Sequence, residues 1–363
     1  MTVGALGERG VLARVLARFT GAEAASVGPG DDCAVVGHSG DIVVTTDTMI
    51  EGPDFRLAWH DGFELGWKLA ATNLSDVAAM GARPTALTVA LAVPHDTPVV
   101  LLERIAEGLE AACRVLAPGC GVVGGDLGRA PVVTAAVTAI GDLDGRAPVL
   151  RGGACPGDVV AYAGELGLAG LGLSLLFAEA ADSEGNAHDR ALPQLWATHP
   201  EVLAAQLAPT PPIPLGVVAS QFGATAMMDV SDSLSIDAER LARASGVGVD
   251  LSEEHLLASF GEQQGVPVPL TAMLTGGEDH GLLATFPASI ALPSGFHRIG
   301  VVVPSDASAS LRLDGEALTA QGWDPYTVRL PGADAPTAST VVPERARSRQ
   351  GHRDSTDDRS SHD

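Results

Sequence analysis

The stretch DGFELGWKLAATNLSDVAAMGARPTALTVALAV, Asp61 to Val93, decides how the rest of the chain is read. Residues 61–80 predict one helix, and Gly81 stands where helices commonly stop. TALTVALAV, 85–93, follows as a strand rich in β-formers. The next run, PVVLLERIAEGLEAACRVLAPG (98–119), predicts a long helix with Pro at its start and Pro-Gly at its end. PVVTAAVTAIGDL (131–143) predicts another strand. Strands and helices therefore alternate through the first half of the chain, as in an α/β class (α+β type).

Upstream, ERGVLARVLARF (8–19) places Val11, Val15 and Phe19 on one helical face. CAVVG and DIVVTTD predict two strands. Downstream, the Pro- and Gly-rich RAPVLRGGACPGD (146–158) separates two periodic regions. The expected division is 1–146 and 147–330. In the second part VVAYAG, ATAMMDV, HGLLATF and FHRIGVVV predict strands. LGLAGLGLSLLF and the serine-capped SLSIDAERLARAS predict helices, and 181–200 reads as a polar loop. From 331 to 363 the chain is polar, charged and poor in aromatics, which predicts a disordered tail.

Composition narrows the function. The 363 residues are 46% hydrophobic and carry a net charge of −23. That charge disfavours nucleic acid phosphates and anionic membrane surfaces. No run of about 18 apolar residues predicts a membrane span, and the N-terminus has no signal-peptide pattern. The four cysteines form no C-x-x-C pair and read as small core residues of a cytoplasmic protein.

Five segments place aspartates where apolar elements end: GPGDD (Asp31, Asp32), VVTTDT (Asp47), NLSD (Asp76), VVGGD (Asp126) and MMDVSDS (Asp229, Asp232). Any one of them is an ordinary cap or turn residue. Together they would be costly without a shared cation, and a hard ion such as Mg²⁺ takes oxygen ligands. Thr45 and Thr46 could add oxygens beside Asp47. Gly124 and Gly125 before Asp126 fit either a phosphate cradle or a plain tight turn. Lys68 is the only lysine and no Walker motif exists, so metals and an arginine such as Arg151 would have to neutralise any nucleotide.

These residues carry a resemblance. GDDCAVV, TTDTMIEGPDF, KLAATNLSDVAAMGARP, GGDLGRAP, RGGACPGD, MMDVSDSLSIDAERLARASGVG, LTGGEDHGLL and GWDPY follow the order found in the thiamine-monophosphate kinase family of the aminoimidazole ribonucleotide synthetase superfamily. The match spans about residues 8–326. It implies a two-domain aminoimidazole ribonucleotide synthetase-like architecture, with N-terminal domains pairing through a barrel-like sheet interface in a homodimer. It implies transfer of the γ-phosphoryl of ATP to thiamine monophosphate, with several Mg²⁺ ions and no covalent nucleophile. By the same resemblance Asp31, Thr45, Thr46, Asp47, Asp76, Asp229 and Asp232 bind Mg²⁺. Gly125, Asp126, Arg151 and Ser231 contact ATP, with Asp126 also on metal. Glu278 contacts the thiamine moiety, and an aromatic, Trp323 or Tyr326, covers it.

Three segments depart from the family pattern. Asp54 in EGPDF stands where a substrate-contacting histidine is usual. Ser233 makes SDS of the usual SDG, and His280 and Gly281 make GGEDHGL of GGEDYEL. Two other readings stay open at this point: a superfamily relative that phosphorylates a carbonyl or amide oxygen, and a nucleotide-binding paralogue without turnover.

Overall fold

The structure is a computed structural model and describes residues 1–29, 33–306 and 309–323. Asp31, Asp32 and Tyr326 fall outside the described residues, as does the tail from 331. The first part contains α1 (Glu8–Leu16), β1 (Ile42–Ile50), α2 (Gly62–Ala79), β2 (Arg83–Val93), α3 (Val99–Leu116), β3 (Gly121–Arg129) and β4 (Thr134–Asp142). Asp61 starts α2 with a reciprocal cap. Its carboxylate accepts from the Glu64 backbone N–H at 2.7 Å, and the Glu64 carboxylate accepts from the Asp61 N–H at 2.8 Å.

The four strands form one open sheet in the order β1-β4-β2-β3, antiparallel except for the parallel β2–β3 pair. Side chains alternate across it. Ala135, Val137 and Ala139 of β4 are buried toward α2 and α3, while Thr134, Ala136, Thr138 and Ile140 lie half-buried on the other face. Register places Val43, Thr45, Asp47 and Met49 of β1 on the helix-covered face and Val44, Thr46 and Thr48 on the open one. Val44 is 60% exposed and Ile42 47%. The sheet closes no barrel by itself.

The second part is built on seven strands: β5 (Val159–Ala163), β6 (Ala226–Asp229), β7 (Gly248–Leu251), β8 (Leu282–Phe286), β9 (His297–Val303), β10 (Leu311–Leu313) and β11 (Glu316–Ala317). Their order is β11-β10-β7-β9-β5-β8-β6, so β6 is an edge strand. Its helices include α4 (Leu168–Glu179), α5 (Pro200–Leu207), α6 (Ile213–Gln221) and α7 (Leu234–Ser245). One core runs from the faces of α2 and α3 through Ile213 and Met227 to Phe286, so the two parts share packed apolar surface. A separate core lies between the second sheet and α7.

Several expectations need correction. Only Val35–Val36 of CAVVG is strand. Residues 181–200 include a helix, Leu192–Thr198, and Pro200 begins α5. Cys113 and Cys120 are buried, but Cys33 and Cys155 are exposed. Gly124 and Gly125 sit inside the extended β3 rather than at a turn. Among the described residues, no helix is long and apolar enough to cross a membrane.

Candidate functional site

The edge strand β6 runs out against the C-terminal half of α2, and there three of the predicted acids meet. Asp229, the last residue of β6, is 5% exposed. Its carboxylate accepts from the Ser75 hydroxyl at 3.1 Å and lies 3.3 Å from His280 Nδ1. Next to Ser75 on α2, Asp76 accepts from the Thr45 hydroxyl at 2.9 Å. Burial, then the charges of Asp229 and Asp47, push the Asp76 carboxyl from 3.8 up to about 7. Asp47 stays open to solvent on one side. Desolvation by the surrounding protein and the charge of Asp229 still raise it above its ordinary range, against the lowering effect of His280. Burial lowers His280, but its hydrogen bond to Asp229 and the charges of Asp229 and Glu278 together outweigh that and hold the imidazole above its ordinary value.

The loop after β6 is held from below. Asp237, in the first turn of α7 and fully buried, accepts from the backbone N–H groups of Ser231, Asp232 and Ser233 at 3.1, 3.1 and 3.3 Å. Sequence reading missed this residue; its position four after the Ser233 cap was the available signal. Asp232 is drawn toward Arg240, whose guanidinium lies 2.5 Å from it and 2.8 Å from Asp237. The departure at Ser233 has a clear role. Its hydroxyl caps α7 through the Ile236 N–H at 3.1 Å and donates to the Gln321 carbonyl at 2.7 Å. With the Trp323 N–H donating to the Asp232 carbonyl at 3.0 Å, this ties the 321–323 segment to the loop. At Gly281 a Cβ would fall 2.1 Å from the Tyr162 hydroxyl, so the buried tyrosine leaves room only for glycine.

The other predicted residues are dispersed. Asp126 pairs in register with Ala90, which aligns with Ala136 and Thr48 on the open face, opposite to Asp47. Thr46 also faces that side and bonds Thr138. Gly125 is required by close approach, because a Cβ there would meet the Val89 carbonyl at 2.1 Å. Gly125 and Asp126 line a cavity of about 570 Å³ with Leu12, Phe19 and Thr88. Arg151 is exposed beside Leu150, whose carbonyl accepts from Met227 of β6 at 3.0 Å; no described contact brings its guanidinium to the acids. Among the described residues no three His, Cys, Asp or Glu side chains form a ready-made metal cage.

A second cavity, of about 300 Å³, gathers the described acceptor-side candidates Asp54, Glu278 and Trp323. Asp54 accepts from the Ile50 N–H at 2.8 Å. Burial raises its carboxyl and Glu278 adds to this, while the Ile50 bond and Lys68 oppose. Arg56 lines the same space with its guanidinium 4.7 Å from the ring centres of both Trp59 and Phe177. Glu278 holds a left-handed φ of 69°. Its N–H donates to the Ser231 carbonyl at 2.8 Å, which joins the cavity wall to the loop after β6.

Residues 30–143 match the family described as AIR synthase related protein, N-terminal domain, and residues 155–305 match its C-terminal domain. The chain is 38% identical to a thiamine-monophosphate kinase of Mycobacterium tuberculosis over 90% of its length and 93% of the relative's. It is 35% identical to the Corynebacterium glutamicum enzyme of that name, over 89% and 94% of the two chains. Among solved structures, AaThiL complexed with AMPPCP and TMP superposes with a TM-score of 0.65 at 30% identity, covering 89% of this chain and 98% of that one. Thiamine monophosphate kinase from Aquifex aeolicus matches at 0.63 and 31%, over 76% and 89%. With both halves of the chain matched and near full-length relatives at these identities, the chain belongs to the AIR synthase-related superfamily and, within it, to the thiamine-monophosphate kinase family.

Proposed function

We propose that this chain transfers the γ-phosphoryl group of ATP to thiamine monophosphate, giving thiamine diphosphate and ADP. The observation that carries this is the linkage of two unlike sites. A cluster of acids with raised carboxyls is linked, through His280 and the loop after β6, to a cavity lined by Asp54, Glu278 and an aromatic. The acceptor has a cationic ring at one end and a phosphate at the other, and the two sites complement those ends. A relative of 30% identity binds AMPPCP and TMP.

The acceptor phosphate has a second pKa of about 6, so its oxygen is already ionised near neutrality and needs no general base. It attacks Pγ as the Pγ–O bond to ADP breaks, and no bond forms to the protein. Glu278 and Asp54 face the thiazolium cation, Trp323 covers the ring, and the cavity walls align the phosphate. The larger cavity beside β3 suits a nucleotide, with Gly125 and Asp126 in its wall and Arg151 and Ser231 as further contacts. The metal residues fit a hard cation: Asp47, Asp76 and Asp229 offer only oxygens, and the raised Asp47 and Asp76 carboxyls mark negative charge that a cation would relieve. Thr45, Asp31 and Asp232 are the further candidates for that set, whereas Thr46 and Asp126, on the opposite face of the sheet, would hold Mg²⁺ at a separate position. When bound, Mg²⁺ supplies neutralisation of the phosphate oxygens.

We place the domain division at 1–146 and 147–330 and the enzyme in the cytoplasm. The open face of the first sheet, with Ile42 and Val44 exposed, pairs with a second copy as a barrel-like interface. Val44→Asp should convert a dimer to a monomer by light scattering, and an unchanged mass would exclude this face. The reaction itself is tested by following ADP and thiamine diphosphate with thiamine monophosphate, with thiamine, and without acceptor. Equal ADP in all three would be hydrolysis by water, whereas no thiamine diphosphate from a chain that binds ATP would favour the reading in which another acceptor is used; Asp54 and His280 are the departures that leave room for it.

A further inference from the structure

We propose that Lys68 is a positioning residue for the acceptor. It fixes the Glu278 carboxylate in the cavity and, through α2, sets its distance from the acidic cluster. This rests on the acceptor assignment above. Lys68 is the chain's only lysine and has no exposed surface. Its Nζ donates to the Gln206 carbonyl at 2.9 Å and lies 3.1 Å from Glu278 Oε1. The Gln206 side-chain amide donates to Glu278 Oε2. Both oxygens are therefore held, the carboxylate cannot swing, and the 26% of its side chain that stays exposed lines the cavity. A carboxylate has about four acceptor sites, so two remain for a ligand.

Stability does not explain this arrangement. Burying a lysine and a glutamate costs more desolvation than apolar residues of similar volume would, and such pairs are weak stabilisers. Burial pushes the Glu278 carboxyl up, but Lys68 and Gln206 outweigh it and leave it below its ordinary range. The left-handed backbone at Glu278 is a strain that persists only where surroundings over-determine it. The same helix supplies the other cross-domain pin. Lys68 and Ser75 are seven positions apart, two turns of a helix, so they share one face about 10 Å apart along the axis. Lys68 reaches Glu278 and Gln206, while Ser75 reaches Asp229. Asp76 follows directly. One rigid element thus sets the separation between the groups that hold the ring and those beside the phosphate.

The test is a double-mutant cycle on the full chain, reading KM for thiamine monophosphate and for ATP separately. Lys68→Met is expected to raise the acceptor KM at least about tenfold, with the ATP KM within about twofold. In a Glu278→Gln background the same Lys68→Met change is expected to add less than about twofold, because its effect runs through Glu278. Independent, multiplying effects would overturn the proposal, and so would an equal rise in both KM values. Should Lys68→Met alone fail to fold, Glu278→Gln and the double variant still decide, since the double leaves no unpaired buried charge. Absence of any turnover by the parental chain would overturn the acceptor assignment, and this inference with it. Parental turnover with an unchanged Lys68→Met KM would overturn this inference alone.

Discussion

Replacing Asp76 with asparagine should make the metal-free protein more stable while removing its activity. The carboxyl is raised from 3.8 to about 7 by burial and by Asp229 and Asp47. Holding it ionised above that pH costs up to about 4 kcal/mol, at about 1.4 kcal/mol per tenfold. The sign follows from linkage. A raised native value means that the native state binds a proton the unfolded chain has already lost, so stability falls as pH rises from about 4 toward about 7. The asparagine side chain carries no such penalty and keeps an oxygen for the Thr45 hydroxyl, which lies 2.9 Å from the Asp76 carboxylate. Weakening that charge-assisted bond returns about 1 kcal/mol. The net gain at pH 8 is then about 1–3 kcal/mol, or a few degrees in Tm for a chain of this size. Thermal unfolding in chelator at pH 5 and pH 8, then with Mg²⁺, reads this directly. The parental Tm should fall across that interval and recover with Mg²⁺; Asp47, Asp237 and Asp279 stay raised in the variant, so Asp76→Asn should show both changes at a smaller size. A variant less stable than the parent at pH 8 in chelator, or one that responds equally to Mg²⁺, would refute the reasoning.

Asp47→Asn should lower kcat at least about a hundredfold, because the lost charge acts where phosphate charge is neutralised, with Tm unchanged or raised; a near-normal kcat measured in steady state would remove Asp47 from the site. Trp323→Ala should raise the acceptor KM by about tenfold through lost ring stacking and leave the ATP KM in place. Deleting residues 335–363 should leave kcat and both KM values within about twofold, as expected of a charged, apolar-poor tail; a large loss would show that the tail takes part.

The alternation of elements through Asp142 was legible in the sequence because α2 and β2 carry strong periodic patterns with caps at both ends. The joining of Asp47, Asp76 and Asp229 was legible only as a suspicion. It depends on an edge strand meeting a helix from the other half of the chain, a long-range contact that local patterns do not encode. The glycines before Asp126 fit either a phosphate cradle or a tight turn by sequence, and they lie inside a strand. The cause at Gly125 is the approach of the Val89 carbonyl in a parallel neighbour, and parallel pairing leaves no local signature. Asp237 stayed hidden because an acid in the first turn of a helix has an ordinary reading, and only the three backbone donors above it give it a task. The registry that sends Asp126 to the face opposite Asp47 is likewise a property of strand pairing rather than of the VVGGD motif.

The central claim is direct transfer between two phosphates held by one acidic site. It is tested most directly by a single turnover with γ-phosphoryl-labelled ATP, Mg²⁺ and thiamine monophosphate, quenched in acid. The account predicts that label passes into the terminal phosphate of thiamine diphosphate, one per ADP, with none on the protein. Label retained on the protein, or released as free phosphate without thiamine diphosphate, would contradict it.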